Sequence, residues 1–141
     1  MIAAIHQPQF MPWLGYFDKM DQADCFILLD NVQYKKNEWQ NRNRIKGSQG
    51  PQWLTVPVQF QFPALITEVA INPSDPWRRK HLQGLKANYA RAPHWAEYEA
   101  AFEAFYASEW DGLAAVNRAS VEFLRGALDI ETPLALASEM E

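Results

Sequence analysis

The first thirty residues alternate between apolar and amphipathic segments, and this order restricts the possible folds more than any other feature of the sequence. Residues 1–6 predict a short buried strand. Cys25–Leu29 is apolar without alternation, which is typical of a strand covered on both faces. Between them, Pro12 is well placed for the first turn of a helix over residues 13–22. One face of that helix carries Trp13, Phe17 and Met20. The order strand, helix, strand in so short a span predicts a βαβ unit with parallel strands.

Residues 41–72 predict a strand-rich addition to this unit. Residues 41–46 and 52–58 predict a hairpin, joined by a five-residue turn over Gly47–Pro51. Residues 65–71 predict a further strand.

Three helices are predicted after residue 72, each from a start signal followed by an apolar stripe. Asp75 and Pro76 predict the N-cap and first position of a helix that ends near Arg91, Pro93 opens the next helix, and Asp111 caps the third. The stripes contain Trp77, His81, Leu85 and Tyr89 in the first helix, Trp95, Tyr98, Phe102, Phe105 and Tyr106 in the second, and Leu113, Val116, Ser120, Phe123, Leu124 and Leu128 in the third. Residues 132–138 predict a final strand.

A chain of 141 residues predicts one domain. We expect a single α/β domain that combines a mostly parallel sheet, an added β-hairpin and a C-terminal group of three helices. Residues 1–72 would form the strand-rich sheet portion with a ligand crevice, residues 73–131 the helical portion, and residues 132–141 the start of a further strand.

Charge is distributed unevenly along the chain, whose net charge is −4. Residues 96–141 carry ten acidic and two basic side chains, which argues against binding to a nucleic acid duplex. The local excess of Lys and Arg in residues 35–46 favours a small anionic ligand instead.

Cysteine usage and the apolar runs bear on location. The longest strictly apolar run, residues 25–29, is far below the ~20 residues of a membrane helix, and no signal-peptide pattern opens the chain. The single cysteine, Cys25, excludes an internal disulfide and a multi-cysteine zinc site. We therefore expect a cytoplasmic protein without membrane insertion. No metal site and no cofactor can be assigned, and an oligomer is possible.

The carboxyl ends of the first two predicted strands carry the best candidate site. His6, Gln7 and Asp30 follow these strands and would face one edge of the sheet, where open α/β sheets bind ligands. The amino end of the first helix points at the same edge and offers free N–H groups. Gly15 would let a ligand approach the helix backbone closely. The predicted crevice is lined by His6, Gln7, Trp13, Gly15, Tyr16 and Asp30.

Each of these features has a structural alternative. His6 is also explained as a strand-end histidine bonded to the backbone, and Asp30 as part of an Asx turn. Lys35, Lys36, Arg42 and Arg44 form either a solvated face or a clamp for phosphate or carboxylate. His81 falls on an apolar stripe, which favours a core histidine over a catalytic one, and Asn117 suits a buried structural amide.

Several ordered motifs resemble the WbqC-like protein family. They are I-H-Q-P-Q-F-M-P-W-L-G-Y-F-D-K (5–19), D-C-F-I-L-L-D-N-V-Q-Y (24–34), W-Q-N-R-N-R-I-K (39–46) and P-Q-W-L-T-V-P-V (51–58). W-x-x-K-H (77–81), L-x-x-x-N (113–117) and T-P-L-A-L-A-S-E-M (132–140) agree with this resemblance.

The resemblance implies a bacterial protein associated with O-antigen and other surface-polysaccharide genes. The candidate substrate-binding residues also include Trp39, Asn41, Asn43 and His81, beside Lys35, Arg42 and Arg44. Family members usually continue into a segment resembling Y-L-S-G-x-x-G-R, so we expect this chain to be a truncated form that covers about the first two thirds.

The order of strand, His/Gln-Pro loop, helix and strand is also similar to nucleotidyl transferases whose phosphate-binding loop carries two histidines. Here the loop after His6 runs Gln7-Pro8-Gln9-Phe10, without the second histidine. This departure speaks against nucleotidyl transfer, although nucleotide binding by the helix amino end remains open.

Three functional hypotheses follow. The first is an enzyme of sugar or surface-polysaccharide precursor metabolism that transfers a group from a nucleotide, nucleotide-sugar or acyl-carrier substrate. In it, His6 is the general base or a phosphate contact, Asp30 orients His6 or is a second base, and Arg42, Arg44 and Lys35 hold the anion. The second is a non-catalytic binding module that uses Trp13, Trp39, Trp53 and Trp77 for stacking. The third is an inactive truncated remnant.

Overall fold

The computed structural model describes residues 1–140 as seven strands, four α-helices and two short 3₁₀ helices. The strands are β1 (Ala3–His6), β2 (Cys25–Leu28), β3 (Arg42–Gly47), β4 (Gly50–Thr55), β5 (Val58–Gln59), β6 (Ala70–Ile71) and β7 (Leu134–Leu136). The helices are α1 (Leu14–Asp21), α2 (Trp77–Tyr89), α3 (Trp95–Ala107) and α4 (Leu113–Ala127), with 3₁₀ helices at Ile66–Glu68 and Ala137–Glu139. The last residue of the predicted segment 132–141, Glu141, lies outside the described residues.

The predicted βαβ unit is confirmed. β1 and β2 pair in parallel, with Ala4 opposite Phe26 and His6 opposite Leu28. β7 pairs in parallel with the other side of β2, so the sheet order is β1-β2-β7. The α/β class, the hairpin and three helices in the C-terminal half all agree with the sequence-based expectation.

One face of the sheet is buried, whereas the other is only partly covered. Cys25 and Ile27 on the second face of β2 are half-buried, so the predicted burial of both faces holds in part for β2 and not for β1. Ala4, Phe26 and Leu28 pack against α1 and α4 in one apolar cluster, while Ile5 on the opposite face remains 51% exposed. α1 begins at Leu14, and Trp13 precedes it with 68% of its surface exposed. Trp13 therefore does not share the buried face of α1 with Phe17 and Met20.

The open edge of β1 is occupied by a lysine. Carbonyls of β1 alternate in direction: those of Ile2 and His6 accept hydrogen bonds from the β2 segment. The carbonyl of Ile5 points the other way and accepts a hydrogen bond from Lys19 Nζ at 2.7 Å. A side chain of α1 thus satisfies an edge group of the sheet.

The hairpin differs from its prediction in the turn. β3 and β4 pair from Arg42–Thr55 to Gly47–Gly50, so the turn contains two residues, Ser48 and Gln49, rather than five. Gly50 adopts a φ of 115°, which favours glycine. The predicted strand 65–71 is a 3₁₀ helix followed by β6, because only Ala70 and Ile71 pair with β5.

The helix starts lie one or two residues later than predicted. Pro76 and Gly112 occupy the N-cap positions that Asp75 and Asp111 were expected to fill, and α3 begins at Trp95. The Asp75 carboxylate instead accepts a hydrogen bond from Lys80.

The main core lies between the hairpin and α2, α3 and α4. It contains most of the predicted stripes, including Trp77, Leu85, Phe105, Leu113 and Val116. Two stripe residues are not core, because Tyr98 is 36% exposed and Leu128 is 43% exposed.

Candidate functional site

The carboxyl ends of β1 and β2 lie side by side, as the βαβ prediction requires. Leu29 N–H donates to the His6 carbonyl at 2.8 Å, which continues the pairing one residue past β2. His6 and Asp30 therefore follow neighbouring strands at the same edge of the sheet, the usual ligand edge of such folds.

Asp30 is buried, and both oxygens of its carboxylate are engaged. Oδ1 accepts the Ser138 backbone N–H at 2.9 Å, and Oδ2 accepts the Ser138 hydroxyl at 2.6 Å. Hydrogen bonds to a carboxylate are stronger than those between neutral groups. This pair fastens the segment after β7 to the end of β2. A catalytic role for Asp30 stays a prediction.

His6 is half-buried and oriented by two neighbours. Its Nδ1 lies 3.1 Å from the Gln7 carbonyl. Since a carbonyl only accepts, the neutral imidazole carries its proton on Nδ1 in this contact and its lone pair on Nε2. The His6 ring meets Tyr16 edge-on with centroids 4.8 Å apart. The Tyr16 hydroxyl donates to the same carbonyl at 3.2 Å, and burial raises the pKa of Tyr16. Tyr16 therefore stays neutral and holds the residue next to His6.

A buried amide network joins the loop after β1 to the segment before the hairpin. Gln7 Oε1 accepts from Gln40 Nε2 at 2.8 Å, and Gln40 Oε1 accepts from the Lys35 N–H at 2.9 Å. From α4, Asn117 Nδ2 donates to the Gln40 carbonyl at 2.7 Å and to the Pro8 carbonyl at 3.2 Å. Asn117 is thus the structural amide that its place on the apolar stripe predicts.

The loop between β1 and α1 is anchored at Met11. This residue has a φ of 46°, which is rare for a residue with a side chain. Its N–H donates to Ser120 Oγ at 3.0 Å, and its carbonyl accepts from Asn43 Nδ2 at 2.6 Å. Strained residues persist where surrounding contacts fix them, and here the contacts fix the loop that presents Trp13.

The outer face of the hairpin is a stack of aromatic and cationic side chains. Trp39 and Trp53 stack with ring centroids 5.7 Å apart and planes 30° from parallel. The Arg42 guanidinium lies 4.4 Å from the Trp53 ring centroid, and the Arg44 guanidinium lies 5.4 Å from that of Trp39 and 5.3 Å from that of Trp53. Such contacts fix the guanidinium planes while leaving N–H donors directed outward.

A cavity of about 830 Å³ lies beside this stack. Its walls combine two indoles with polar and cationic groups of the hairpin. They include Trp13, Trp39, Asn43, Arg44 and Lys46. Cavities of this size, with aromatic walls and a few polar groups, are typical of small-molecule sites. We call this cavity the cationic cleft.

Gly15 serves the cleft differently from the sequence-based expectation. A Cβ at Gly15 would lie 2.2 Å from Trp13 Cη2, so the glycine makes room for the Trp13 indole over the first turn of α1. The indole occupies the space in which we expected a ligand to approach the helix backbone.

The cations of the hairpin are not paired with acids. No carboxylate within residues 1–140 forms a salt bridge with Arg42, Arg44 or Lys46, whereas Lys86 and Arg118 in the helical part each do so. Arg42 donates from Nη2 to the Asn37 carbonyl at 2.7 Å. The positive charge on the hairpin is therefore available to a ligand.

His81 lies apart from the cleft, inside the main core. Its Nε2 bonds the Thr55 carbonyl at 3.0 Å, and its Nδ1 accepts from the Tyr106 hydroxyl at 3.3 Å. Burial lowers the pKa of His81 from 6.5 to about 4, against the opposing effect of the Thr55 hydrogen bond. A neutral imidazole with both ring nitrogens hydrogen-bonded agrees with a structural role for His81 in the core, rather than a catalytic one.

The structure brings the candidate residues together in two groups, and a few of them belong to neither group. His6, Gln7, Tyr16 and Asp30 meet at the sheet edge, and Trp13, Trp39, Asn43 and Arg44 line the cationic cleft with Gly15 and Arg42 in support. Asn41 is buried and donates to the Val56 carbonyl, Trp77 is in the core, and Lys35 contributes its backbone N–H to the amide network.

Sequence reasoning missed Gln40, Met11, Ser120 and Ser138. Each acts through a contact with a residue distant in the chain, and such contacts leave no local signal in the sequence.

Comparison with known proteins decides the family. The profile of the WbqC-like protein family matches residues 7–141. The chain belongs to the WbqC-like protein family. It is similar to a Mycobacterium tuberculosis protein described as "Uncharacterized protein Rv1507c", with 41% identity over 141 residues. The match covers 98% of this WbqC-like chain and 61% of that relative, so the chain spans about three fifths of the relative's length. No solved structure matches.

None of the helices of this WbqC-like protein within residues 1–140 combines the length and the apolarity that crossing a membrane requires.

Proposed function

We propose that this WbqC-like protein is a transferase-like enzyme that binds an anionic, ring-bearing substrate in the cationic cleft. A nucleotide, nucleotide-sugar or acyl carrier has the required chemistry. The observation that carries the proposal is the unpaired Arg44, held on the stacked Trp39 and Trp53 at the wall of the cleft. The resemblance to the WbqC-like family supports a role in surface-polysaccharide precursor metabolism, and the single Cys25 supports a cytoplasmic location.

Recognition in this proposal has two parts. Arg44 and Lys46 bind phosphate or carboxylate oxygens, because charge-assisted hydrogen bonds are the strongest that such groups accept. Trp13, which reaches the cleft from the loop before α1, stacks on the ring of the substrate. The anchored loop through Met11 supports this arrangement, since it limits the ordering that binding requires.

Catalysis in this proposal belongs to His6. In the neutral imidazole, the contact between Nδ1 and the Gln7 carbonyl leaves Nε2 as a proton acceptor. His6 does not itself line the cleft, but its ring contacts Tyr16, whose backbone N–H donates to the carbonyl of the cleft residue Trp13. As an acceptor hydroxyl or amine bonds to the transferred group, its proton passes to Nε2. The bond to the donor then breaks, and the anionic leaving group keeps the electron pair beside Arg44 and Lys46.

A non-catalytic binding module is the second candidate, and one observation favours it. Asp30 is buried and both of its carboxylate oxygens accept hydrogen bonds from Ser138, which favours a structural role for this carboxylate. In this alternative the cleft binds the same ligands, and His6 serves only to shape the sheet edge.

The binding part is tested with Arg44→Ala and a nucleoside diphosphate as probe. We expect affinity to fall roughly 10- to 100-fold by calorimetry, the range of a charge-assisted hydrogen bond. Arg118→Ala is the matched control, because Arg118 is paired with Glu122 on α4 away from the cleft. Equal affinities for wild type and Arg44→Ala would refute the assignment of the cleft.

The catalytic part is tested with His6→Asn and a nucleotide-sugar. Wild type should release nucleotide in the presence of a mixture of sugar and amine acceptors, followed by ³¹P NMR. The variant should bind the nucleotide-sugar with unchanged affinity and release nucleotide at least ~100-fold more slowly, the scale of general base catalysis. Binding without release by either protein would favour the binding module.

A further inference from the structure

Two further cavities adjoin the cationic cleft and are almost entirely apolar. One of about 390 Å³ lies between the hairpin, α2 and α3, and one of about 440 Å³ lies between the start of α1, the middle of α3 and the end of α4. They share a wall formed by Tyr98, Phe102 and Leu124. Ile45 lines both the cleft and the first cavity, and Trp13 lines both the cleft and the second.

The walls of these cavities contrast chemically with those of the cleft. Lys, Arg, Asp and Glu are absent from both linings within the described residues, and His94 is the single titratable imidazole. The cleft, by comparison, carries Arg44 and Lys46. Charge and apolar surface are thus separated along one continuous set of walls.

Large apolar side chains that line the second cavity are exposed to solvent. Leu14 is 73% exposed, Trp13 is 68% exposed and Leu128 is 43% exposed. Covering such surface with an apolar group is favourable in proportion to its area. Exposed apolar patches of this kind are typical of binding sites.

We infer that the substrate of this WbqC-like protein is amphiphilic, with an aliphatic chain of the acyl or isoprenoid type attached to the anionic group. The head occupies the cationic cleft, and the chain runs past Trp13 or Ile45 along the apolar cavities. The inference rests on the proposed function and specifies its substrate class. Charge complementarity at one end and continuity of the walls at the other favour a single ligand over two unrelated ones.

The inference predicts a chain-length dependence of affinity. Calorimetry with nucleoside diphosphate and with butyl, hexyl and octyl phosphate, each below its micelle concentration, measures the head and the chain separately. Each added methylene should tighten binding about three- to four-fold, since burying a methylene is worth about 0.8 kcal/mol. Octanol, which lacks the anionic head, should bind at least ~10-fold more weakly than octyl phosphate.

Variants assign this dependence to the apolar cavities. Leu14→Gln and Leu128→Gln replace exposed side chains, so both should fold, and each should reduce the gain per methylene while leaving nucleoside diphosphate binding unchanged. Leu65→Gln is the matched control, because Leu65 is 40% exposed and lines neither cavity. Arg44→Ala should weaken all the phosphates by the same factor.

The outcomes separate this inference from the proposed function. Binding of nucleoside diphosphate with no gain from butyl to octyl phosphate would overturn the inference and leave the cationic cleft intact, with the apolar cavities then covered by a protein segment. Octanol binding as tightly as octyl phosphate would also overturn it. Absence of binding for nucleoside diphosphate and every alkyl phosphate would refute both.

Discussion

The polar groups near the sheet edge and the cations on the outer face of the hairpin differ in their bonding partners. Beneath the hairpin, Asn117, Gln40 and Gln7 bond to one another and to backbone carbonyls, and Asp30 gives both oxygens to Ser138. On the outer face of the hairpin, Arg44 contacts indole rings and pairs with no carboxylate in the described part of the chain. The polar side chains of the first region form hydrogen bonds within the protein, whereas the guanidinium of Arg44 is available to a ligand.

This difference separates stability from binding. A buried polar group that loses its partner destabilises the folded state, whereas an exposed cation that contacts only water and indoles contributes little to folding. We therefore expect substitutions in the amide network to change the free energy of unfolding, and substitutions at the cationic cleft to change ligand affinity.

The largest expected effect is that of Asn117→Ala. The substitution removes both donors from the Pro8 and Gln40 carbonyls and leaves a small cavity, so the free energy of unfolding should fall by about 2–4 kcal/mol in urea denaturation. Asn88→Ala is the matched control, because Asn88 also donates two hydrogen bonds but is only half-buried, and it should cost less than about 1 kcal/mol. Equal losses of stability in the two variants would contradict a structural role for the buried amide network.

His81 adds a pH dependence to the internal region. Because burial lowers its pKa from 6.5 to about 4, the unfolded chain takes up a proton first as the pH falls. The contribution of His81 is complete above pH 6.5 and is lost progressively toward pH 4. We expect about 2 kcal/mol less stability at pH 5 than at pH 7.5.

Urea denaturation at the two pH values measures this loss, and ¹⁵N NMR of the imidazole should show His81 neutral at pH 5. In His81→Asn, the difference between the two pH values should shrink by the same amount. An imidazole that titrates near pH 6.5 in the folded protein would contradict the prediction.

The smallest expected effect is that of Gly15→Ala, which tests the contribution of the Trp13 position to ligand binding. The new Cβ displaces the Trp13 indole, so affinity for nucleoside diphosphate should fall a few-fold by calorimetry. The helix should meanwhile gain up to about 1 kcal/mol, because alanine is a better helix former. Gly126→Ala is the control, since a Cβ there meets nothing within 4 Å. It should stabilise α4 without changing affinity, and an equal loss of affinity in both variants would exclude a role for the Trp13 position.

The elements that could be predicted are those whose signal is local. The βαβ unit follows from three consecutive patterns and from the rule that a helical crossover joins parallel strands. The exposure of Ile5 could not be predicted in the same way, because an apolar strand does not specify what packs on its second face.

The hairpin shows how a small error in a turn changes a site. A five-residue turn would pair Lys46 with Gln52 and Arg44 with Leu54, whereas the two-residue turn pairs Arg44 with Trp53. A shift of one residue moves side chains to the opposite face of a strand. The cation–aromatic stack therefore depends on the turn, and the clustering of cations in the sequence could indicate an anion site without its geometry.

The contact between Asp30 and Ser138 could not be predicted for a different reason. The two residues are 108 positions apart, and neither has a local pattern that points to the other. Single-sequence reasoning placed Asp30 at the correct edge of the sheet, but its partner depends on where β7 pairs.

The lysine at the edge of β1 has a consequence for how this protein behaves at high concentration. An edge strand offers unpaired backbone groups to any extended segment, including one from another molecule, and this is a common route to aggregation. Lys19 Nζ already holds the outward carbonyl of Ile5, and an incoming strand would have to displace it and bury its charge. The Lys19 side chain thus opposes the addition of a further strand at the β1 edge, where the apolar residues Ile2 and Ile5 are exposed.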